Sequence, residues 1–145
     1  IRRGPAHRMR MVGAALVHGG TSSAAGYGRG WTVTASSFAE PDRVLREFVL
    51  DGTALSGSGV KKGRHIIDTR THRPVAGRNA AWVSVASATE SDALSTAFMV
   101  MSAAEIAAFC EKRNDIRAIV INDDVTSGER VFSYGWGSGD PDAGW

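Results

Sequence analysis

Asp92 and Thr96 stand four residues apart in "TESDALSTAFMVM" (89–101). In a helix that spacing puts both side chains on one face, one turn apart. A carboxylate and a hydroxyl so placed are two hard oxygen donors, suited to Mg2+ rather than Zn2+. Mg2+ keeps waters and completes its shell with phosphate oxygens, so the pair points to phosphate chemistry. Two quieter roles fit the same spacing: Asp92 can cap the helix, and Thr96 can bond a carbonyl one turn back. A second candidate is "RHIIDTRTHRPV" (64–75), a polar stretch around a short apolar pair. His65, after the Gly-rich basic segment 56–64, can serve as a general base, a phosphate hydrogen-bond donor or a solvent-facing loop residue. Asp68, three residues on, is placed to orient it. Gly19-Gly20 and Ser56-Gly57-Ser58-Gly59 each end an apparent strand. There, backbone N–H groups can approach phosphate oxygens, or the glycines simply make turns.

Composition narrows the classes. The chain has 145 residues, 17 of them Lys or Arg against 15 Asp or Glu, for a net charge of +2. Its basic residues are scattered, with small clusters at Arg2, Arg3, Arg8, Arg10 and at Lys61, Lys62, Arg64. Neither is a nucleic-acid stripe interleaved with aromatics. Cys110 is the single cysteine, so an internal disulfide and a Cys-based zinc site are excluded. Its place in "AAEIAAFCEKRN" reads as a buried, inert thiol. No apolar run reaches the length of a membrane span. The phosphate-binding P-loop, the dinucleotide G-x-G-x-x-G and the G-x-S-x-G elbow are all missing from the sequence.

The periodicities predict the elements that must hold these residues. Short strands are expected over 14–20, 30–36, 44–52 and 80–88, with 39–43 a turn and 53–59 running into a small-residue loop. Segment 6–14 reads as the tail of a helix ended by Gly13. The period then changes: Leu94, Ala97, Phe98 and Met101 lie at helical spacing, with Thr89 as N-cap and Asp92 three residues on. A second helix starts at Ser102, with Glu105 completing an S-x-x-E capping box, and runs to about 114. Strands are expected again over 116–123 and 130–136, and 137–145 as a frayed tail. Strands, two consecutive helices, then strands predict one α+β domain over 1–145, its helices gathered on one face of a largely antiparallel sheet.

In order and spacing, "ALVHGG" (15–20), "ALSGSG" (54–59), "HIIDTRTHRPV" (65–75), "VSVASATESDALSTAFMVM" (83–101) and "AIVINDD" (118–124) resemble the C-terminal half of the ApbE family of FAD:protein FMN transferases. The resemblance implies cleavage of FAD, attachment of FMN to a threonine of a target flavoprotein, and release of AMP. It implies Mg2+ held by Asp92 and Thr96, with His65 catalytic. Gly19, Gly20, Ser56, Gly57, His65 and Asp68 would line the flavin site. The alternative is a flavin-binding relative with degraded or no transferase activity. The family's other half, in the same or a second chain, would complete the pocket; the sequence starts "IRRGPAHRMR", as though cut from something longer. The resemblance points towards the cell envelope, and no residue of this chain decides localisation. Three positions depart from the family pattern: Thr21 replaces an aspartate, Thr69 a proline and His72 a glycine. The last asks His72 for a conformation that glycine takes more easily.

Overall fold

A computed structural model describes residues 14–19, 22–61, 63–124, 126 and 128–136. The expected helix tail before Gly13, Gly20, Thr21 and the tail 137–145 lie outside the described residues. The elements run β1 (Ala15–His18), β2 (Ser23–Tyr27), β3 (Trp31–Ser36), β4 (Val44–Leu50), β5 (Thr53–Gly59), β6 (Ile67–Asp68), β7 (Arg73–Pro74), β8 (Arg78–Val85), α1 (Ala88–Val100), α2 (Ala103–Glu111), β9 (Arg117–Asp124) and β10 (Gly128–Tyr134). Six strands form one sheet in the order β1-β2-β5-β8-β9-β10, and every neighbouring pair is antiparallel. β3–β4 and β6–β7 are separate hairpins.

This is the α+β arrangement expected, with one layer more. Alternation along the central strands sends side chains to opposite faces, and both faces are buried. Ala81, Val83 and Val85 of β8, with Ala118 and Val120 of β9, meet Phe98 and Met99 of α1 and Ile106 and Cys110 of α2. Ala80, Ile119 and Ile121 point the other way, onto Ala35, Leu45, Phe48 and Leu50 of the β3–β4 hairpin. Burial of Cys110 raises its thiol to about 11, so it stays protonated and inert.

The structure corrects several expectations. Residues 53–59 are not a loop but β5, near the middle of the sheet. Its small residues are required there. A Cβ on Gly57 would lie 2.4 Å from the ring of Trp82, its partner on β8. α1 starts two residues early: Ser87, not Thr89, is the N-cap, its side chain accepting from the Glu90 N–H. Asp92 therefore lies in the second turn and caps nothing. The second capping box forms as expected between Ser102 and Glu105, although α2 ends at Glu111. β2, "SAAGY", was not expected, because three small residues and a glycine show no period. The polar stretch at 64–75 holds a tight hairpin, β6–β7, rather than an open loop.

Gly57→Ala must push Trp82 out of its place, an overpacking that costs about 1–3 kcal/mol. Urea unfolding measures it, and a loss below about 0.5 kcal/mol, the level of an ordinary surface change, rules this packing out.

Candidate active site

α1 lies over β5, β8 and β2, and serines set how closely. Ser91 and Ser95 are fully buried on the sheet side of α1. The Ser91 hydroxyl donates to the Val83 carbonyl at 2.6 Å. Ser95 donates to the Asp92 carbonyl and also bonds Ser58 of β5, both at 2.9 Å. Each hydroxyl buried in this seam has a partner, which offsets the cost of taking it out of water.

The same seam reaches the proposed metal donors. Ser58 Oγ lies 2.9 Å from Thr96 Oγ1, and Thr96 also donates to the Asp92 carbonyl at 3.4 Å. The back-bond anticipated as the quieter role of Thr96 is therefore present, beside a contact to the sheet. Asp92 and Thr96 are both exposed, and among the described residues no hydrogen bond or ion pair holds the Asp92 carboxylate. Two hard oxygens on one open helix face suit Mg2+, which takes few protein ligands and keeps several waters. Among the described residues no group of three or more His, Cys, Asp or Glu side chains converges, as a protein-enclosed site would need.

Gly19, Ser56 and Gly57 come together beside this seam. The Gly19 N–H donates to the Ser23 carbonyl at 2.8 Å, and the Gly57 N–H donates to the Ser22 carbonyl at 2.7 Å. Ser56, fully buried, donates to Ser23 Oγ at 3.1 Å. Both glycine amides are thus spent on the β1–β2 turn and strand pairing; neither points at a ligand. β5 presents its two faces unequally: Ser58 faces α1, while Gly57 faces Trp82.

His65 follows this strand end by six residues and is exposed. Its Nδ1 lies 2.8 Å from the Gly63 carbonyl. That bond requires a proton on Nδ1 and leaves the Nε2 lone pair free, the tautomer a general base needs. Gly63 turns its carbonyl there at φ +112, a conformation side chains rarely adopt. Asp68 does not orient His65. Its carboxylate is gripped by Arg70, Nε to Oδ1 at 3.0 Å and Nη2 to Oδ2 at 3.1 Å. The hydrogen bond from Arg70 holds Asp68 below its ordinary value, and Asp68 in turn raises Arg70. His72, at the end of the turn, has φ 55, the left-handed conformation that its place in the sequence demanded. Its N–H closes the turn on the Asp68 carbonyl at 2.7 Å.

A cleft of about 610 Å³ opens at the other end of α1, lined by Asp68, Arg70, Arg73, Arg78, Met101 and Glu105 among others. Arg78 donates to the Phe98 and Met101 carbonyls at the end of α1, and to Asn122 at 3.0 Å. Burial lowers Arg78 below its ordinary value. Ser95, Arg70 and Arg78 were not singled out in the sequence, and Ser58 only as part of the small-residue run at 56–59. A readable signal existed only for α1, whose last turn carries no basic residue to meet its free carbonyls.

The fold and this seam define a class. Solved structures share the architecture. The apo flavinyl transferase ApbE of Pseudomonas stutzeri matches with a TM-score of 0.71 at 24% identity, covering 91% of this chain and 47% of that one. The ApbE protein of Thermotoga maritima gives 0.69 at 20% identity, over 83% and 42%. The flavin transferase ApbE of Vibrio cholerae, as its H257G mutant, gives 0.66 at 18%, over 89% and 45%. The sequence itself matches the family model described as the ApbE family over residues 6–120, and the chain belongs to that family. It spans less than half the length of these structures. No curated protein matches the sequence.

Two predictions follow from the hairpin. Asp68 and Glu105 both have lowered pKa values, Asp68 first through Arg70 and Glu105 first through the Ser102 N–H. Carboxylates lowered in the folded state stabilise it above their unfolded values, and that contribution fades as pH falls below about 4. Protection of the Thr71 and His72 amides, taken relative to intrinsic exchange at each pH, should therefore fall in acid, and less steeply so in Glu105→Gln. His72→Val, a branched residue forced into the left-handed region, costs about 1–2 kcal/mol. His72→Gly avoids that cost; equal unfolding midpoints for the two variants would show that the turn stores no strain.

Proposed function

We propose that the chain forms one side of the site of a flavin transferase that cleaves FAD, attaches FMN to a threonine of an acceptor flavoprotein and releases AMP. The observation that carries this reading is the exposed Asp92 carboxylate one turn from the Thr96 hydroxyl, in a member of the ApbE family. Asp92 and Thr96 are the residues that would hold Mg2+, which when bound draws negative charge from diphosphate oxygens.

The chemistry is a displacement at phosphorus. The acceptor threonine oxygen bonds the phosphorus of the FMN part. The bond from that phosphorus to the bridging oxygen breaks, and AMP leaves with that oxygen and the electron pair. His65 Nε2, its lone pair left free by the Nδ1 bond to Gly63, takes the hydroxyl proton. Thr96 is held in place by Ser58, so helix and strand present their oxygens as one rigid edge. Gly19, Ser56 and Gly57, which come together beside the α1 seam, would line the flavin, and Gly20 with them by family resemblance. Asp68 contributes through Arg70, by keeping the hairpin closed behind His65.

The test uses the full-length protein with FAD, Mg2+ and a threonine-bearing acceptor, reading AMP release and the mass of the acceptor. His65→Gln should lower turnover by about 10²–10⁴-fold. Asp92→Ala should weaken the Mg2+ dependence of turnover and the calorimetric Mg2+ affinity together. FAD binding with neither AMP nor flavinylated acceptor supports the flavin-binding alternative, for which the departures at Thr21, Thr69 and His72 speak. Unchanged Mg2+ affinity in Asp92→Ala removes the metal assignment.

A further inference from the structure

Arg70 sits in the β6–β7 turn, and its guanidinium joins three segments. It grips Asp68 of its own hairpin through two parallel bonds of 3.0 and 3.1 Å. Its Nη1 donates to Glu105 Oε1 in the first turn of α2 at 3.2 Å, and its Nη2 donates to the Val100 carbonyl at the end of α1. Glu105 is itself fixed, its Oε2 accepting from the Ser102 N–H at 2.6 Å. The Val100 carbonyl is one of the acceptors a helix end leaves without an internal partner. Because α1 has no basic residue in its last turn, the cations that meet its negative end come from elsewhere: Arg78 from β8 and Arg70 from the hairpin.

The magnitudes say what this clamp is for. The Arg70 side chain is 53% exposed and Glu105 47%. Exposed pairs contribute about 0–1 kcal/mol each, so the clamp adds little to global stability. Its value is geometric, since a planar fork fixes direction as well as distance. Val100 is one helical turn beyond Thr96. On the hairpin side, the Val75 N–H bonds the Ile66 carbonyl at 2.9 Å, and Ile66 is buried against the helices. His65 is the residue before Ile66. A path of hydrogen bonds and backbone thus runs from the helix that carries Asp92 and Thr96 to His65.

Resting on the flavin-transfer reading above, we infer that Arg70 is a positioning residue, which sets where His65 stands relative to the Asp92–Thr96 face. Replacing it leaves the chain folded and spoils the register between base and metal donors.

The test compares Arg70→Gln and Arg70→Lys with Arg113→Gln in the full-length protein. Arg113 is a fair control: it too makes two ion pairs, to Glu90 at 2.9 Å and Asp115 at 2.8 Å, but none to the hairpin. Three readouts are needed: unfolding midpoint, amide exchange at Thr71 and His72, and kcat against KM for FAD. Both Arg70 variants should speed hairpin exchange by about tenfold or more, as local opening does. They should lower kcat at least about tenfold, the scale of a displacement near 1 Å, with KM changed less than about twofold. Arg113→Gln should leave kcat and hairpin exchange within about twofold, while the midpoints of all three variants stay close together. Unchanged hairpin exchange in Arg70→Gln overturns the inference, and so does kcat within about twofold of the unsubstituted protein. If the unsubstituted protein does not turn over FAD, the flavin reading has failed; exchange alone then judges the clamp.

Discussion

The close seat of α1 on β5 is the interaction on which the rest of the site depends. A helix packed on a sheet through large side chains stands away from it, and its polar groups then meet no partner on the strand. Here serines occupy the contact, Ser91 and Ser95 from the helix and Ser58 from the strand. Their hydroxyls are satisfied by each other and by carbonyls, so the polar seam costs little. The apolar cost is met further along the helix, where Phe98 and Met99 are fully buried and Phe98 packs edge-on against Phe109 at 5.9 Å. α1 therefore divides by length. Up to Thr96 it carries the polar residues of the seam and the candidate site; beyond it, Phe98 and Met99 anchor it.

That division explains why the end of α1 needs help from outside. The apolar last turn carries no basic residue of its own, and Phe98 and Met99 in it are buried. Arg78 from β8 and Arg70 from the hairpin reach the free carbonyls instead. Arg78 is the more deeply placed of the two, and burial lowers its pKa below the ordinary arginine value. Its removal would leave three acceptors without their donor, at Phe98, Met101 and Asn122. Arg70 lies at the surface, where the same chemistry supplies direction more than stability.

Much of this was readable in the sequence, for identifiable reasons. Strands with alternating or continuous apolar runs, such as 30–36 and 116–123, were placed within a few residues. The two helices and the Ser102–Glu105 box followed from spacing. What escaped was encoded in small residues. β2 and β5 are built from Ser, Ala and Gly, which carry no hydrophobic period, and their strand character comes from neighbours: Trp82 across Gly57, and α1 above Ser58. The start of α1 was misplaced because Thr89 and Ser87 are both good caps, and only packing chooses between them. For the candidate site, the placement of Asp92 and Thr96 one turn apart on one helix was readable from periodicity. The pairing of Asp68 was not. Its partner, Arg70, lies two residues away in the same turn, and a charge that close wins over a histidine three residues back.

The stretch from 64 to 75 shows how one polar segment can be fully accounted for. Its two histidines do unrelated things. His65 is tied through its ring, Nδ1 bonding the Gly63 carbonyl. His72 is there for its backbone, at φ 55, closing a turn on Asp68. Histidine is among the few side chains that enter this region at modest cost. A glycine would enter it more freely, but would also make the unfolded chain looser. With Arg70 clamping the same turn from the side, the hairpin can carry a residue that would otherwise loosen it. The departure at His72 is therefore compatible with a closed, ordered loop behind His65, because the turn is fixed by bonds to Asp68 and not by the residue type at its last position.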